Sequence, residues 1–254
     1  MMLDRASHLP ELDSVTLVAV TSVALRPTIE ALCVSMSRVK FAEVLLLSDQ
    51  APPDDVIGVE WRRIEPIRSH EDYSRFMLRD LAEHVVTSHA LCIQWDGFVL
   101  DGSAWDPTFL DYDYIGAPWP QFSDGHNVGN GGFSLRSRRL LRACEKLPDD
   151  SSGAEDVLIC RKYRNQLEQM GIRFAPEPAA RRFAFERTAP SGNEFGFHGA
   201  YNLVRYLSAA DALWLFRSLE PHMLARGERF ELLRWAAAHG RVRLALTMLS
   251  RLIQ

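Results

Sequence analysis

Short apolar segments alternate with amphipathic segments through the first part of the chain, and this alternation restricts the fold more than any other feature. The apolar segments have the length of buried strands. Between the first two apolar segments, apolar residues recur at helical spacing, as at Ile29, Leu32 and Met36. Strands joined by helices form parallel sheets. We therefore predict an α/β fold with a mostly parallel sheet flanked by helices, whose strands lie at residues 15–20, 44–47, 59–64 and 89–93.

The length of the chain suits one α/β domain with a small addition. The 254 residues can form one sizeable core, whereas two full domains are not expected. From Ala209 onward there are two helical patterns, split at His239-Gly240. We predict a domain at residues 1–208 and a helical appendage at residues 209–254.

Composition argues against several classes of protein. A net charge of -4 and a pI near 6.1 do not favour nucleic-acid binding. The four cysteines form no CxxC pair, which indicates a reducing compartment. Residues 1–14 lack the apolar region of a secretion signal, and no apolar run approaches the ~18 residues of a membrane span. We expect a cytoplasmic protein.

Polar residues follow three of the predicted strands. Thr21, Asp49 and Asp96 stand at strand ends, and ligands of open α/β sheets bind at the carboxyl ends of the strands. Asp96 precedes Gly97, which leaves room for a ligand beside its carboxylate. A plain turn aspartate is the alternative for Asp96.

A glycine-rich segment spans residues 129–133. It lacks the third glycine of a dinucleotide-binding fingerprint, and the preceding segment is polar rather than a strand. Gly131 and Gly132 could instead let the backbone approach a sugar or phosphate, and a simple loop is the alternative. Arg136 is a candidate phosphate contact, with solvated surface charge as its alternative.

Two further acidic residues and one histidine are candidates for chemistry. Glu155 and Asp156 open a predicted helix at residues 155–170, where acidic residues also stabilise the helix dipole. His198 lies between Phe197 and Gly199, and a structural role is its alternative.

These motifs, in this order, resemble those of a known enzyme superfamily. Gln94-Trp95-Asp96 resembles the DxD-type metal motif of GT-A glycosyltransferases, with glutamine at the first aspartate. Residues 129–139 and Glu155-Asp156-Val157 resemble the glycine-rich and "EDV" motifs of the β-1,3-galactosyltransferase-like group. His198-Gly199 resembles the carboxyl-terminal metal-binding histidine of that superfamily. Over residues 15–202 the chain resembles a bacterial domain-of-unknown-function family placed among GT-A enzymes.

The resemblance implies a Rossmann-like GT-A fold and a hexosyltransferase-type activity. The donor would be a nucleotide sugar, usually a UDP-sugar, with Mn²⁺ or Mg²⁺ on its diphosphate. The metal ligands would be Asp96 and His198. Asp156 would be the catalytic base, with Glu155 beside it. The remaining donor-binding residues would be Thr21, Asp49, Gly131, Gly132 and Arg136.

The expected reaction is an inverting transfer to a glycan or lipid-linked hydroxyl, in bacterial polysaccharide or cell-surface glycan synthesis. A nucleotidyltransferase acting on sugar phosphates is one alternative. A catalytically inactive nucleotide- or carbohydrate-binding protein is another. Residues 222–254 hold six arginines and two glutamates, so the C-terminal helices could contact the inner membrane peripherally. Packing of their apolar stripe within the protein is the alternative.

Overall fold

The computed structural model describes residues 9–148, 153–219, 224 and 226–253. The chain forms two compact units, Met1–Phe197 and His198–Gln254. The second unit therefore begins before the appendage predicted at residue 209.

A six-stranded sheet is the centre of the first unit, in the order β3-β2-β1-β4-β8-β5. Strands β1 to β4 run parallel to one another, whereas β8 runs antiparallel to both β4 and β5. The predicted α/β class with a mostly parallel sheet is confirmed. The strands of this sheet are β1 Glu11–Val20, β2 Lys40–Ser48, β3 Glu60–Arg63, β4 His89–Ile93, β5 Tyr114–Ile115 and β8 Phe133–Ser137.

Both faces of the central strands are covered, as continuous apolar strands require. Every residue from 15 to 20 of β1 is buried, and so is every residue of β4. On one face, Val18 and Leu45 share a core cluster with Phe76 and Leu81. The helices that cover or connect the strands of this unit include α1 Leu25–Met36, α2 His70–Arg79, α3 Leu81–His84, α4 Arg138–Cys144, α6 Arg164–Gln169 and α7 Glu177–Phe183.

Two small ribbons complete the first unit. Strands β6 Ala117–Pro118 and β7 Val128–Gly129 pair antiparallel just before the glycine-rich segment. Strands β9 Ala184–Phe185 and β10 Gly196–Phe197 pair in parallel. The ribbon of β6 and β7 thus leads the chain into the glycine-rich segment.

One local expectation needs correction. The helix predicted over residues 155–170 is divided into α5 Glu155–Val157, a π-helical turn Leu158–Lys162 and α6. The extra residue of a π turn changes the phase of the helix, which apolar spacing alone does not reveal. Helix α2 is capped by Ser69, whose hydroxyl accepts from the Asp72 N–H at 3.0 Å.

The second unit is helical. Helices α9 and α10 each contact α11, and α10 also packs on α8. None of the described helices is both long and apolar enough to cross a bilayer. The helices are α8 Ala200–Leu203, α9 Ala209–Ser218, α10 Arg226–Ala238 and α11 Val242–Ile253.

Candidate active site

The carboxyl ends of the parallel strands and the amino end of β8 form one edge of the sheet. Ala19 of β1 pairs with Ile93 of β4, and Ile93 pairs in turn with Phe133 of β8. Loops that leave the parallel strands therefore meet the loop that enters β8. The sequence-predicted residues at this edge are Thr21, Asp49, Asp96, Gly131 and Gly132.

The loop Asn130-Gly131-Gly132, hereafter the glycine loop, has a defined conformation. Asn130 has a φ of 74°, in the left-handed region that asparagine tolerates better than most residues. Its Oδ1 accepts hydrogen bonds from the N–H groups of Gly132 at 2.9 Å and Phe133 at 3.2 Å. The Gly132 carbonyl accepts from the Gln94 N–H at 3.0 Å, which joins the glycine loop to the segment holding Asp96.

Gly131 is held at both of its backbone polar groups. Its N–H donates to Asp156 Oδ2 at 2.9 Å. Its carbonyl accepts from Arg136 Nη2 and Ser134 Oγ, each at 3.3 Å. A Cβ at this position would lie 2.0 Å from Glu155 Oε1, so only glycine fits this approach.

Arg136 and Glu155 form a buried ion pair beneath the glycine loop. The Arg136 Nη2 to Glu155 Oε1 distance is 2.8 Å, and the two side chains are 0% and 4% exposed. Arg136 Nε donates to Ser134 Oγ at 2.9 Å. Because the Arg136 side chain has no exposed surface, the donor contact predicted from the sequence would require its covering side chains to move.

Asp156 is half-buried, and its surroundings raise the pKa of its carboxyl above that of an ordinary aspartate. Burial raises the pKa of its carboxyl, and the negative charge of Glu155 adds to that effect. The Gly131 N–H and the Arg136 charge act in the opposite direction, and the pKa settles at about 6. A carboxylate of this kind is a stronger base than an ordinary aspartate, while still ionised in most molecules at neutral pH.

Two tyrosines, Tyr73 and Tyr114, adjoin this cluster. The Tyr73 hydroxyl, on α2, hydrogen-bonds the Gln94 side chain, and burial raises the pKa of Tyr73 well above its ordinary value. The Tyr114 hydroxyl donates to the Asn130 carbonyl at 2.9 Å. Tyr73 belongs to the apolar stripe of its helix, so its spacing predicts a core residue and hides the polar contact.

Thr21 and Asp49 lie at the ends of the adjacent strands β1 and β2. The Thr21 N–H donates to the Leu47 carbonyl at 3.0 Å, and Thr21 Oγ1 accepts from the Ala24 N–H at 3.1 Å. Asp49 Oδ1 is buried and has no hydrogen-bond partner among the described residues. A buried acceptor of this kind is suited to a donor group supplied by a ligand.

Asp96 and His198 are the two predicted cation ligands. Asp96 is buried, at 4% exposure, in the loop that leaves β4. His198 belongs to the second unit, where its carbonyl accepts from Asn202 Nδ2 at 2.8 Å. Within the described part of the chain, no group of three His, Cys, Asp or Glu side chains is arranged to hold a metal ion. Mg²⁺ is commonly held by one or two carboxylates plus substrate phosphates, a pattern for which the Asp96 carboxylate has suitable chemistry.

The fold and the site together define an α/β protein whose candidate ligand site lies at the carboxyl edge of a parallel sheet. The chain belongs to the family described as "Protein of unknown function (DUF5672)", which matches residues 58–198. The matched segment contains Asp96, the glycine loop and Asp156. A comparison with curated proteins gives no match.

Three solved structures are similar to the chain. An active-site mutant of LgtC is 12% identical, with 72% of this chain and 86% of that chain covered and a TM-score of 0.44. The apo-form glycosyltransferase GlyE of Streptococcus pneumoniae is 16% identical, with 76% and 54% covered and a TM-score of 0.44. A glycosyltransferase involved in glycosylation of the major capsid of PBCV-1 is 12% identical, with 78% and 96% covered and a TM-score of 0.43. All three TM-scores are below 0.5, so the likeness is partial.

Proposed function

We propose that the protein is a glycosyltransferase that takes a sugar from a nucleotide-sugar donor, with Asp156 as the catalytic base. The observation that carries the proposal is the Asp156 carboxylate, hydrogen-bonded to the glycine loop at the carboxyl edge of the sheet. Its raised pKa of about 6 matches the requirement for a base that works near neutral pH. At pH 7 such a group is about nine-tenths ionised.

The order of residues along the sheet edge supports a nucleotide sugar as ligand. Asp49, Thr21, Asp96 and the glycine loop adjoin the successive neighbours β2, β1, β4 and β8. Three strand spacings amount to about 14 Å, comparable to an extended nucleoside diphosphate sugar. In this arrangement the buried Asp49 Oδ1 accepts from a ribose hydroxyl, and the sugar lies by the glycine loop. We propose a UDP-hexose as donor.

The proposed reaction is a single displacement. The acceptor hydroxyl gives its proton to Asp156, and the acceptor oxygen bonds to the anomeric carbon. The bond from that carbon to the diphosphate oxygen breaks, and its electron pair stays on the diphosphate. Because attack and departure occur on opposite faces, the configuration is inverted. A divalent cation, Mn²⁺ or Mg²⁺, would neutralise diphosphate charge when bound, and we propose Asp96 as its protein ligand in the first unit.

A donor panel tests the proposal. UDP-, GDP- and ADP-hexoses would be compared by thermal shift with Mn²⁺, because a ligand that binds only the folded state raises its stability. Donor turnover with glycan and lipid-linked acceptors would then be measured. We expect a UDP-hexose to raise the melting temperature and to be consumed. Binding without turnover would favour the inactive binding protein, and pyrophosphate release from UTP and a sugar phosphate would favour a nucleotidyltransferase.

The C-terminal helices carry exposed surface that could contact the membrane holding a lipid-linked acceptor. Val242, Leu246 and Leu249 form an exposed apolar stripe on α11, and Trp214 on α9 is 48% exposed. A groove of about 870 Å³ between α9 and the start of α11 is lined by apolar residues together with Arg217, Arg241 and Arg243. Apolar surface with arginine around it suits an anionic lipid surface. We propose that these helices contact the inner membrane during transfer to a lipid-linked acceptor.

A further inference from the structure

Arg136 is a cation without exposed surface, in a segment where the sequence predicts contact with a donor. Its Nη2 donates to Glu155 Oε1 at 2.8 Å and to the Gly131 carbonyl at 3.3 Å. Its Nε donates to Ser134 Oγ at 2.9 Å, and its guanidinium carbon lies 5.7 Å from the centre of the Tyr114 ring. Every one of these contacts is with the protein, beneath the glycine loop.

The contacts of Arg136 close a ring that includes Asp156. Asp156 accepts from the Gly131 N–H, and the Gly131 carbonyl accepts from Arg136. Arg136 pairs with Glu155, which is joined to Asp156 by a peptide bond. Each of the two adjacent acidic residues is therefore held by its own contact. Asp156 accepts from the Gly131 N–H, and Glu155 pairs with the Arg136 guanidinium.

We propose that Arg136 is a positioning residue, which acts through Gly131 and Glu155 to hold the Asp156 carboxylate against the glycine loop. This inference rests on the proposed function for its consequence in catalysis, because Asp156 is the proposed base. A lysine would not be equivalent, since one ammonium nitrogen cannot reproduce the planar fork that reaches three acceptors from two nitrogens.

The unmodified protein provides the first test. Proton NMR would follow the Gly131 amide and the Arg136 Nε–H from pH 4 to 9. Both signals should shift with one common midpoint near 6, because both groups belong to the ring that contains Asp156. Among the described residues, the titratable groups that interact with Asp156 are Glu155, Arg136, Tyr114 and Cys160. Burial raises the pKa of Tyr114 and of Cys160.

Asp156→Asn should abolish the transition in both signals, and the Gly58 amide, at an exposed position between Ile57 and Val59, is the internal reference. Separate midpoints for Gly131 and Arg136, or a transition that survives in Asp156→Asn, would overturn the proposal. This first test requires neither a folded variant of Arg136 nor a measurable enzyme activity.

A pair of variants provides the second test. Arg136→Met with Glu155→Gln removes both charges of the buried pair, which avoids leaving one of them unpaired. Glu155→Gln alone keeps the arginine and its bond to the Gly131 carbonyl. In the double variant the Gly131 amide should lose at least half of its pH-dependent shift, whereas Glu155→Gln should retain it. Equal shifts in the two variants would overturn the proposal.

The matched control is Arg164→Met, which removes another buried arginine, one that pairs with Glu168 at 2.6 Å. The Gly131 titration should be unchanged in this variant. If the proposed transferase activity is found, the double variant should lower kcat at least tenfold more than Arg164→Met does, with the KM for donor unchanged. The NMR result stands if no transfer is detected, so failure of the proposed function and failure of this inference are distinguishable.

Discussion

At the scale of single residues, the ionisation of Asp156 determines the expected pH dependence. The carboxyl must lose its proton to act as a base, and its pKa is raised to about 6. The rate of transfer should therefore rise with pH through about 6 and then level off. Asp156→Asn should lower kcat by about 10² to 10⁴ while donor affinity is retained. Rates at pH 5, 6 and 8 check this, and a flat profile in wild type would assign proton transfer to another group.

Asp96 has a separate expected role in donor binding. Asp96→Ala should reduce the Mn²⁺-dependent part of UDP affinity at least tenfold, because it removes the proposed carboxylate ligand at the end of β4. Titration calorimetry with and without EDTA measures this part directly, and His198→Ala in the same assay tests the second predicted ligand. Asp101→Ala is a control, since that carboxylate accepts from the Ser103 N–H and caps a 3₁₀ turn. Identical UDP affinity in wild type and Asp96→Ala would contradict this role.

Gly131 gives a stability prediction that does not depend on activity. Gly131→Ala should destabilise the protein by about 1–3 kcal/mol, because the new methyl group would meet Glu155 Oε1 at 2.0 Å. Urea denaturation compares it with Gly227→Ala on α10, where a Cβ meets no atom within 4 Å. The control should be neutral or slightly stabilising, since alanine is the better helix former. Equal midpoints for the two variants would show that the loop relaxes around the methyl group.

At the scale of elements, Arg79 stabilises the end of α4 through backbone groups. Its guanidinium donates to four carbonyls, those of Cys144, Glu145, Leu147 and Pro148, at distances from 2.6 to 3.1 Å. Carbonyls at a helix end lack partners within the helix. Arg79→Met should cost about 2–3 kcal/mol of unfolding free energy, given the usual strength of hydrogen bonds to charged groups. Arg138→Met, at an exposed position on α4, should change it by less than about 0.5 kcal/mol.

The sequence predicts the elements of the parallel sheet well and those of the site less completely. Strands β1, β2 and β4 are continuous apolar runs, so length and burial identify them. The π turn after Glu155 and the left-handed Asn130 are set by tertiary contacts, which leave no periodic signal. The Arg136–Glu155 pair joins residues nineteen positions apart, and their charges suggest surface positions. Residue type therefore predicts candidate groups, whereas burial decides which of them can meet a ligand.

At the scale of the whole molecule, the expected membrane contact can be distinguished from non-specific adsorption of exposed apolar side chains to vesicles. Leu246→Ser with Leu249→Ser removes two exposed leucines of α11. Co-sedimentation with anionic vesicles at low salt should fall at least threefold relative to wild type. Ile57→Ser, which removes an 86% exposed apolar side chain from the first unit, should leave it unchanged. Failure of wild type to co-sediment at low salt would exclude this form of membrane contact, and binding that persists at 1 M salt would show that charge is not its cause.

The contact between Gly131 and Glu155 also gives a way to sort homologous chains. A Cβ at position 131 would overlap the carboxylate of Glu155 when that carboxylate is paired with Arg136. Homologues should therefore show glycine at position 131 wherever they have both Arg136 and Glu155. Where another residue replaces that glycine, the arginine or the glutamate should have changed as well. Such linked substitutions would mark lineages that lack the proposed support of the carboxylate at position 156, and those lineages are where loss of the proposed transfer activity should be sought first.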